Sequence, residues 1–170
     1  MFRQKTILTK EECTELIGLC DNFTPSQLYK KDKGVYMKTD RRKSEQSKFK
    51  NLDKVKKILL PKLKEFDIYD LPETTHMIRY NQGCFFKEHK DRGNGLEDRI
   101  LTLIIQLSDS SDYEGADLIV NKKHTSKNIG NLILFDSGLY HEVTELTKGK
   151  RNVLVSWITN NEISKKKTYI

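Results

Sequence analysis

The sequence predicts a mainly β fold, a sandwich or jelly roll of short strands, with helices from the first 70 residues covering one sheet. Two observations carry this expectation. After Pro72 the chain breaks into brief strand-like runs: "THMIRY", "CFFKEHK", "RILTLIIQL", "ADLIV", "NLILF", "LYHEV" and "NVLVSWI". Turn-prone segments such as "NQG", "DRGNGLED", "SDSSDYEG", "FDSG" and "TKGK" separate most of them. Second, no long helical pattern comes between these runs. This disfavours βαβ units and points to strands packed in series.

Before Pro72 the period is helical. "TKEECTELIGLC" opens with a capping box, Thr9 at the N-cap and Glu12 three residues on. Cys13, Leu16, Ile17 and Cys20 follow as one apolar stripe. Residues 30–50 are charged and carry little pattern beyond a short strand at "GVYMK". A second helix is expected from about Leu52, where Leu52, Val55, Leu59, Leu63 and Phe66 recur at helical spacing. Pro61 is expected to kink or split it.

A length of 170 residues fits one domain with a sizeable core. The longest apolar runs, "LTLII" and "LILF", are far too short to span a bilayer, and "MFRQKTILTKEE" lacks the apolar stretch of a signal peptide. The expectation is a soluble, cytoplasmic chain with no membrane partner. Three cysteines without a metal-ligand spacing fit free thiols in a reducing compartment. The net charge is +7, and its basic excess lies in the N-terminal third: residues 1–66 hold 17 Lys/Arg against 9 Asp/Glu, residues 67–170 hold 14 against 15. Such an excess attracts nucleic acid or an acidic protein, or forms a solvated lysine-rich face; the last is the plainer reading.

Within "FKEHKDRGNGLEDR", His89 and Asp91 are two residues apart. In an extended strand both side chains point to one face. A second His would complete a two-His, one-carboxylate triad, the ligand set of non-haem iron(II) sites with open positions. Of the remaining histidines, His76 reads as structural and His124 as an exposed loop residue. His141 follows the apolar run "NLILF" and a glycine turn, and a jelly roll brings strands about 50 residues apart side by side. Arg151 opens an alternating strand in which Arg151, Val153, Val155 and Trp157 share one face. A buried Arg there needs an anionic partner, and its planar fork suits a carboxylate.

In order along residues 74–158 stand "RYNQG", "HKD", "RILTLIIQLSDSSDYEGADLIV", "GNLILF" and "HEVTELTKGKRNVLVSWI". This series resembles the prolyl 4-hydroxylase-type branch of the iron(II)- and 2-oxoglutarate-dependent dioxygenases. The resemblance implies a double-stranded β-helix, or jelly-roll, core over 74–158, with residues 1–70 as its helical N-terminal support in a single domain of 1–170. It implies that His89, Asp91 and His141 bind Fe(II), and that Arg151 holds the distal carboxylate of 2-oxoglutarate. Tyr80 would support the cosubstrate, with Thr102, Ile104, Gln106 and Trp157 lining the same cavity. The implied co-reactants are 2-oxoglutarate and O2, with ascorbate as an auxiliary. Gln106 stands where some relatives carry a Tyr, and "YEGADL" lacks the usual second Gly.

The implied reaction is hydroxylation of a C–H bond, with a peptidyl proline as favoured target. "DRGNGLEDR" and the basic segment 30–50 are candidates for gripping a peptide or protein substrate. A nucleic-acid demethylase of the same superfamily is less favoured, because Trp157 stands where a second Arg is expected. A non-catalytic jelly-roll module and a cupin-like metal binder complete the alternatives. The sequence leaves the oligomeric state open.

Overall fold

The computed structural model describes residues 1–163; residues 164–170, included in the expected domain, lie outside the described residues. Strand β1 (Phe2–Thr6) and helix α1 (Lys10–Gly18) come first, followed by the short strands β2 (Thr24–Pro25), β3 (Leu28–Lys30), β4 (Gly34–Tyr36), β5 (Arg42–Lys43) and β6 (Glu45–Lys48). Helix α2 (Leu52–Leu63) leads into β7 (His76–Tyr80), β8 (Phe85–His89), β9 (Leu101–Gln106), β10 (Tyr113–Gly115) and β11 (Leu118–Val120). The last strands are β12 (Lys123–His124), β13 (Asn131–Asp136), β14 (His141–Val143), β15 (Leu146–Gly149) and β16 (Arg151–Ile158).

A seven-stranded sheet, in the order β1-β13-β9-β16-β7-β6-β2, faces a five-stranded sheet, β12-β11-β14-β8-β5. Every named ladder is antiparallel. This is the expected jelly roll, with β7 to β16 falling inside residues 74–158.

Alternation on the central strands divides the interior in two. Leu103, Ile105, Leu132, Leu134, Leu154 and Ile158 point outward from the roll and pack with Cys13, Leu16, Val55, Leu59 and Leu63 of the two helices. Ile104, Ile133, Phe135, Val153 and Val155 point inward, between the sheets. The helices thus cover the outer face of the large sheet and leave its inner face for a cavity. Burying a side chain such as Leu59 or Leu63, both fully buried, stabilises the fold by roughly 1.5–3 kcal/mol each.

The capping box is present as expected: Glu12 N–H donates to Thr9 Oγ1 at 3.1 Å, and Thr9 N–H donates to Glu12 Oε2 at 2.9 Å. Asn51 caps α2, accepting from Lys54 N–H at 3.0 Å. Two expectations need correction. Pro61 does not split α2; it lies in the last turn, and the helix passes through it to Leu63 before a 3-10 turn at Lys64–Phe66. The segment 1–70 is also less helical than expected. Six strands, β1 to β6, lie in it, and four of them extend the two sheets: β1, β2 and β5 as edges and β6 between β7 and β2. Their side chains carried no readable period: β1 is exposed at all five positions, and β2 and β5 are two residues long. Among the described residues no helix is long and apolar enough to cross a membrane.

Candidate metal centre

Strands β8 and β14 are neighbours, and His141 is the direct cross-strand partner of His89. Asp91 lies two residues beyond His89, just past the end of β8. Its N–H and that of Arg92 both donate to the Ser137 carbonyl, at 3.0 and 2.9 Å. Arg92 Nη2 and Gly138 N–H both donate to Asp136 Oδ1 at 2.7 Å. These bonds fasten the 91–92 segment to the turn that precedes His141. A Cβ at Gly138 would lie 2.5 Å from Arg92 Nη2 and would push that side chain off Asp136.

One ligand atom from each of His89, Asp91 and His141 lies within 4.8 Å of the others. His89 Nδ1 lies 2.7 Å from the Lys87 carbonyl, and His141 Nδ1 lies 3.0 Å from the Leu139 carbonyl. A carbonyl only accepts, so each Nδ1 carries a hydrogen, and each Nε2, the inward atom, offers its lone pair when the ring is neutral. His141 Nε2 is 3.2 Å from Asp91 Oδ2, and His89 Nε2 is 3.5 Å from Asp91 Oδ1. His89 Nε2 is buried and has no hydrogen-bond partner. Phe86 stacks on the His89 ring at 3.5 Å between centroids, and Phe135 meets His141 edge-on.

Burial by itself raises the pKa of Asp91, but the adjacent imidazoles, His141 above all, hold it well below the usual carboxylate range. Burial lowers His89. Burial also opposes charge on His141, yet Asp91 raises it. An anionic carboxylate beside two inward Nε2 atoms is the donor chemistry of a divalent-metal site. The orphaned Nε2 of His89 fits a metal ligand, because a buried polar atom without a partner costs stability.

Arg151 stands on the facing sheet, paired in register with Tyr80 of β7. It is 1% exposed, and its Nε donates to Gln106 Oε1 at 3.1 Å while Nη1 has no partner. Its guanidinium lies 5.3 Å from the Tyr80 ring centroid. A fully buried guanidinium without a carboxylate partner fits a site for a carboxylate-bearing ligand. Arg151, Tyr80, Thr102 and Trp157 line one cavity with the His–Asp–His cluster. Burial raises the Tyr80 phenol, which therefore stays protonated and able to donate.

Two expected cavity residues do other work. Gln106 does not line the cavity; its Oε1 orients Arg151 and its Nε2 donates to the Ser126 carbonyl at 3.2 Å. Thr102 reaches the cavity wall, but its hydroxyl donates to Asp91 Oδ2 at 2.7 Å and contacts Ser137 Oγ at 3.0 Å. Trp157 keeps a buried, unpartnered Nε1. His76 is buried against Trp157, with ring centroids 5.2 Å apart, and His124 is exposed. His124, expected in a loop, lies instead in β12.

Comparison with known families settles the kinship. The family model for the 2OG-Fe(II) oxygenase superfamily matches residues 75–159. The chain belongs to this superfamily. The matched stretch holds the whole His–Asp–His cluster and Arg151. Among curated relatives, a PKHD-type hydroxylase of Parvibaculum lavamentivorans is 34% identical over 87 residues, covering 48% of this chain and 40% of its own. One of Prochlorococcus marinus is 32% identical over 128 residues, covering 69% and 56%. The chain thus spans about half the length of the curated relatives it matches. In fold it is similar to a Pseudomonas putida prolyl-4-hydroxylase, with a TM-score of 0.65, 17% identity and coverage of 93% and 91%. It is likewise similar to a Trichoplax adhaerens prolyl hydroxylase solved with a hypoxia inducible factor peptide fragment, with a TM-score of 0.71, 16% identity and coverage of 94% and 84%.

The sequence did not single out Arg42. Its guanidinium lies in the same cavity wall, 4.5 Å from the Phe86 ring centroid, with Nη2 buried and unpartnered. Nothing local distinguishes it from Arg41 or Lys43 in a charged run. Only the pairing of β5 with β8 turns it inward.

Proposed function

We propose that this chain is an Fe(II)- and 2-oxoglutarate-dependent dioxygenase that hydroxylates a prolyl residue in a peptide or protein. One observation carries the reading: two inward Nε2 atoms and an anionic carboxylate share a cavity with a buried guanidinium whose Nη1 is unpaired. His89, Asp91 and His141 would hold the metal and leave adjacent positions open. Arg151 would bind the distal carboxylate of 2-oxoglutarate, with Tyr80 as a neighbouring hydroxyl donor. When bound, Fe(II) with 2-oxoglutarate and O2 supplies the oxidising power for C–H hydroxylation, with succinate and CO2 released.

The protein's own part is positional. The Lys87 and Leu139 carbonyls fix both His tautomers, and Thr102 holds Asp91 Oδ2. Ile78, Ile104, Val153 and Val155 form apolar walls that exclude water from around the ligands. Proline as target follows the prolyl hydroxylases of like fold and the run of motifs through residues 74–158. A domain of 1–170 and a cytoplasmic location belong to the same reading; the buried free thiols of Cys13, Cys20 and Cys84 suit a reducing compartment.

The test is succinate release measured with Fe(II), 2-oxoglutarate, O2 and ascorbate as reductant, alongside mass spectrometry of proline-containing peptides for the gain of one oxygen atom. Metal-dependent succinate release that is lost on chelation, in both His89→Ala and Asp91→Ala, is the expected result. Turnover persisting in either variant rejects the triad.

A further inference from the structure

The two segments expected to grip a substrate meet in space. Lys31 N–H of the β3–β4 hairpin donates to the Asn94 carbonyl at 3.0 Å, joining the hairpin to the 91–99 loop. Gly95, with φ +96°, packs so closely on the hairpin that a Cβ would lie 3.1 Å from Lys31 Cβ and 3.2 Å from the Tyr29 ring. Between hairpin, loop and metal site runs a groove whose floor includes His89, Asp91 and Trp157.

The charge of this groove is one-sided. Its cationic lining residues are Arg41, Arg42, Lys90 and Arg99, against Asp91 as the single carboxylate among the described residues, and Asp91 faces the metal site. Among the described residues none of the four cations forms an ion pair with a carboxylate side chain. Arg41 Nη2 donates to the Glu88 carbonyl at 2.8 Å, and Lys90 lies over the Tyr140 ring. Arg99 lies 3.7 Å from the Trp157 ring centroid. Arg42 is the innermost, 8% exposed; Nε and Nη1 are engaged by Ser44 Oγ and the Gln27 carbonyl, and Nη2 is left without a partner in the wall of the metal cavity. A buried guanidinium held by two neutral acceptors retains its charge, and the carboxylate whose field reaches Arg42, Asp91, faces the metal site.

We propose that this groove selects an acidic peptide segment, with a substrate carboxylate seated on Arg42 Nη2 beside the metal site and Arg99 flanking it. The inference rests on the dioxygenase reading and names the substrate class of that same site. Arg151 remains free for the cosubstrate on the facing sheet, so the two guanidiniums divide two carboxylates between them. Four cations in one short groove suit one or two carboxylates. A polyanion's repeated phosphates need an extended basic track, and residues 67–170 carry a balance of only −1.

The experiment uses the full chain loaded with Mn(II) and 2-oxoglutarate. Fluorescence anisotropy compares three labelled peptides with a central proline, flanked on both sides by Asp, Asn or Lys, and a labelled single-stranded oligodeoxynucleotide. The expected result is about tenfold tighter binding of the Asp peptide than the Asn peptide, with the Lys peptide weakest. In Arg42→Gln, and separately in Arg99→Gln, the Asp preference should shrink to about threefold or less. Equal affinities, a preference that survives both substitutions, or tighter binding of the oligonucleotide each overturn the proposal. So does a raised 2-oxoglutarate requirement in Arg42→Gln with the peptide preference intact. Fe(II)-dependent succinate release is read on a portion of the same protein loaded with Fe(II) in place of Mn(II). With release present and affinities equal, the acidic-peptide proposal falls and the dioxygenase reading stands; without release the dioxygenase reading falls and takes this proposal with it.

Discussion

Arg151 Nε donates to Gln106 Oε1 at 3.1 Å, and this bond fixes a fully buried guanidinium with Nη1 free inside the cavity. The two residues are 45 apart in sequence and lie on neighbouring strands, β16 and β9. Removing the charge removes the anchor, whereas removing the amide only loosens it. Arg151→Gln is expected to raise the apparent 2-oxoglutarate requirement by roughly 100-fold, as befits a charged hydrogen-bond pair of about 3 kcal/mol. Gln106→Ala is expected to raise it by roughly tenfold. Initial succinate-release rates against 2-oxoglutarate concentration measure both, and an unchanged requirement in Arg151→Gln contradicts the anchor.

Thr102 supports the metal site from behind. Its hydroxyl donates to Asp91 Oδ2 at 2.7 Å in a fully buried setting. Thr102→Val keeps the shape and deletes the donor, so Asp91 is less well oriented. Divalent-metal affinity is expected to fall by about 10–100-fold, the usual cost of losing a partner behind a ligand. Titration with Co(II), followed by its absorption bands, gives the affinity directly.

His76 carries a pH-dependent share of stability. Burial pushes its pKa down to about 4 from 6.5, and the nearby charges of Arg42 and Arg99 act in the same direction. The folded-state pKa lies below the unfolded one, so the unfolded chain takes up the proton first as pH falls. The contribution is therefore complete above about pH 6.5 and is lost between there and about pH 4. Its size is about 3 kcal/mol at 1.4 kcal/mol per unit. Urea unfolding of wild type and His76→Gln across this window should show a shallower pH dependence in the variant; parallel curves reject the assignment.

Cys13 and Cys20 should be inert thiols. Burial raises both to about 11. At pH 8 only about one in a thousand is thiolate, the reactive form. Iodoacetamide labelling of the folded chain is expected to be at least about 100-fold slower than in urea at the same pH. Rapid native labelling of either residue would show that the packing of α1 on the large sheet opens readily.

The jelly roll and its two covering helices are legible in strand alternation and helical spacing, while His89, Asp91, His141 and Arg151 stand out through the motif order of residues 74–158 and its family resemblance. The reason is that strand alternation and helical spacing are local, and they already assign Ile104, Val153 and Trp157 to one face and Leu103, Leu154 and Ile158 to the other. Tertiary structure alone decided the rest. The strands of residues 24–48 are two to four residues long, too short for a period to show; β5 and β6 form on the longer β8 and β7, and β3 and β4 on each other. Arg42 stands in a run of charges that looks solvated, and only pairing beside Phe86 turns it inward. Gln106 and Thr102 share the inward face that alternation gives them, but whether such a residue meets a ligand or another side chain depends on what lies across the cavity. That is set by distance in space, which local periodicity does not encode.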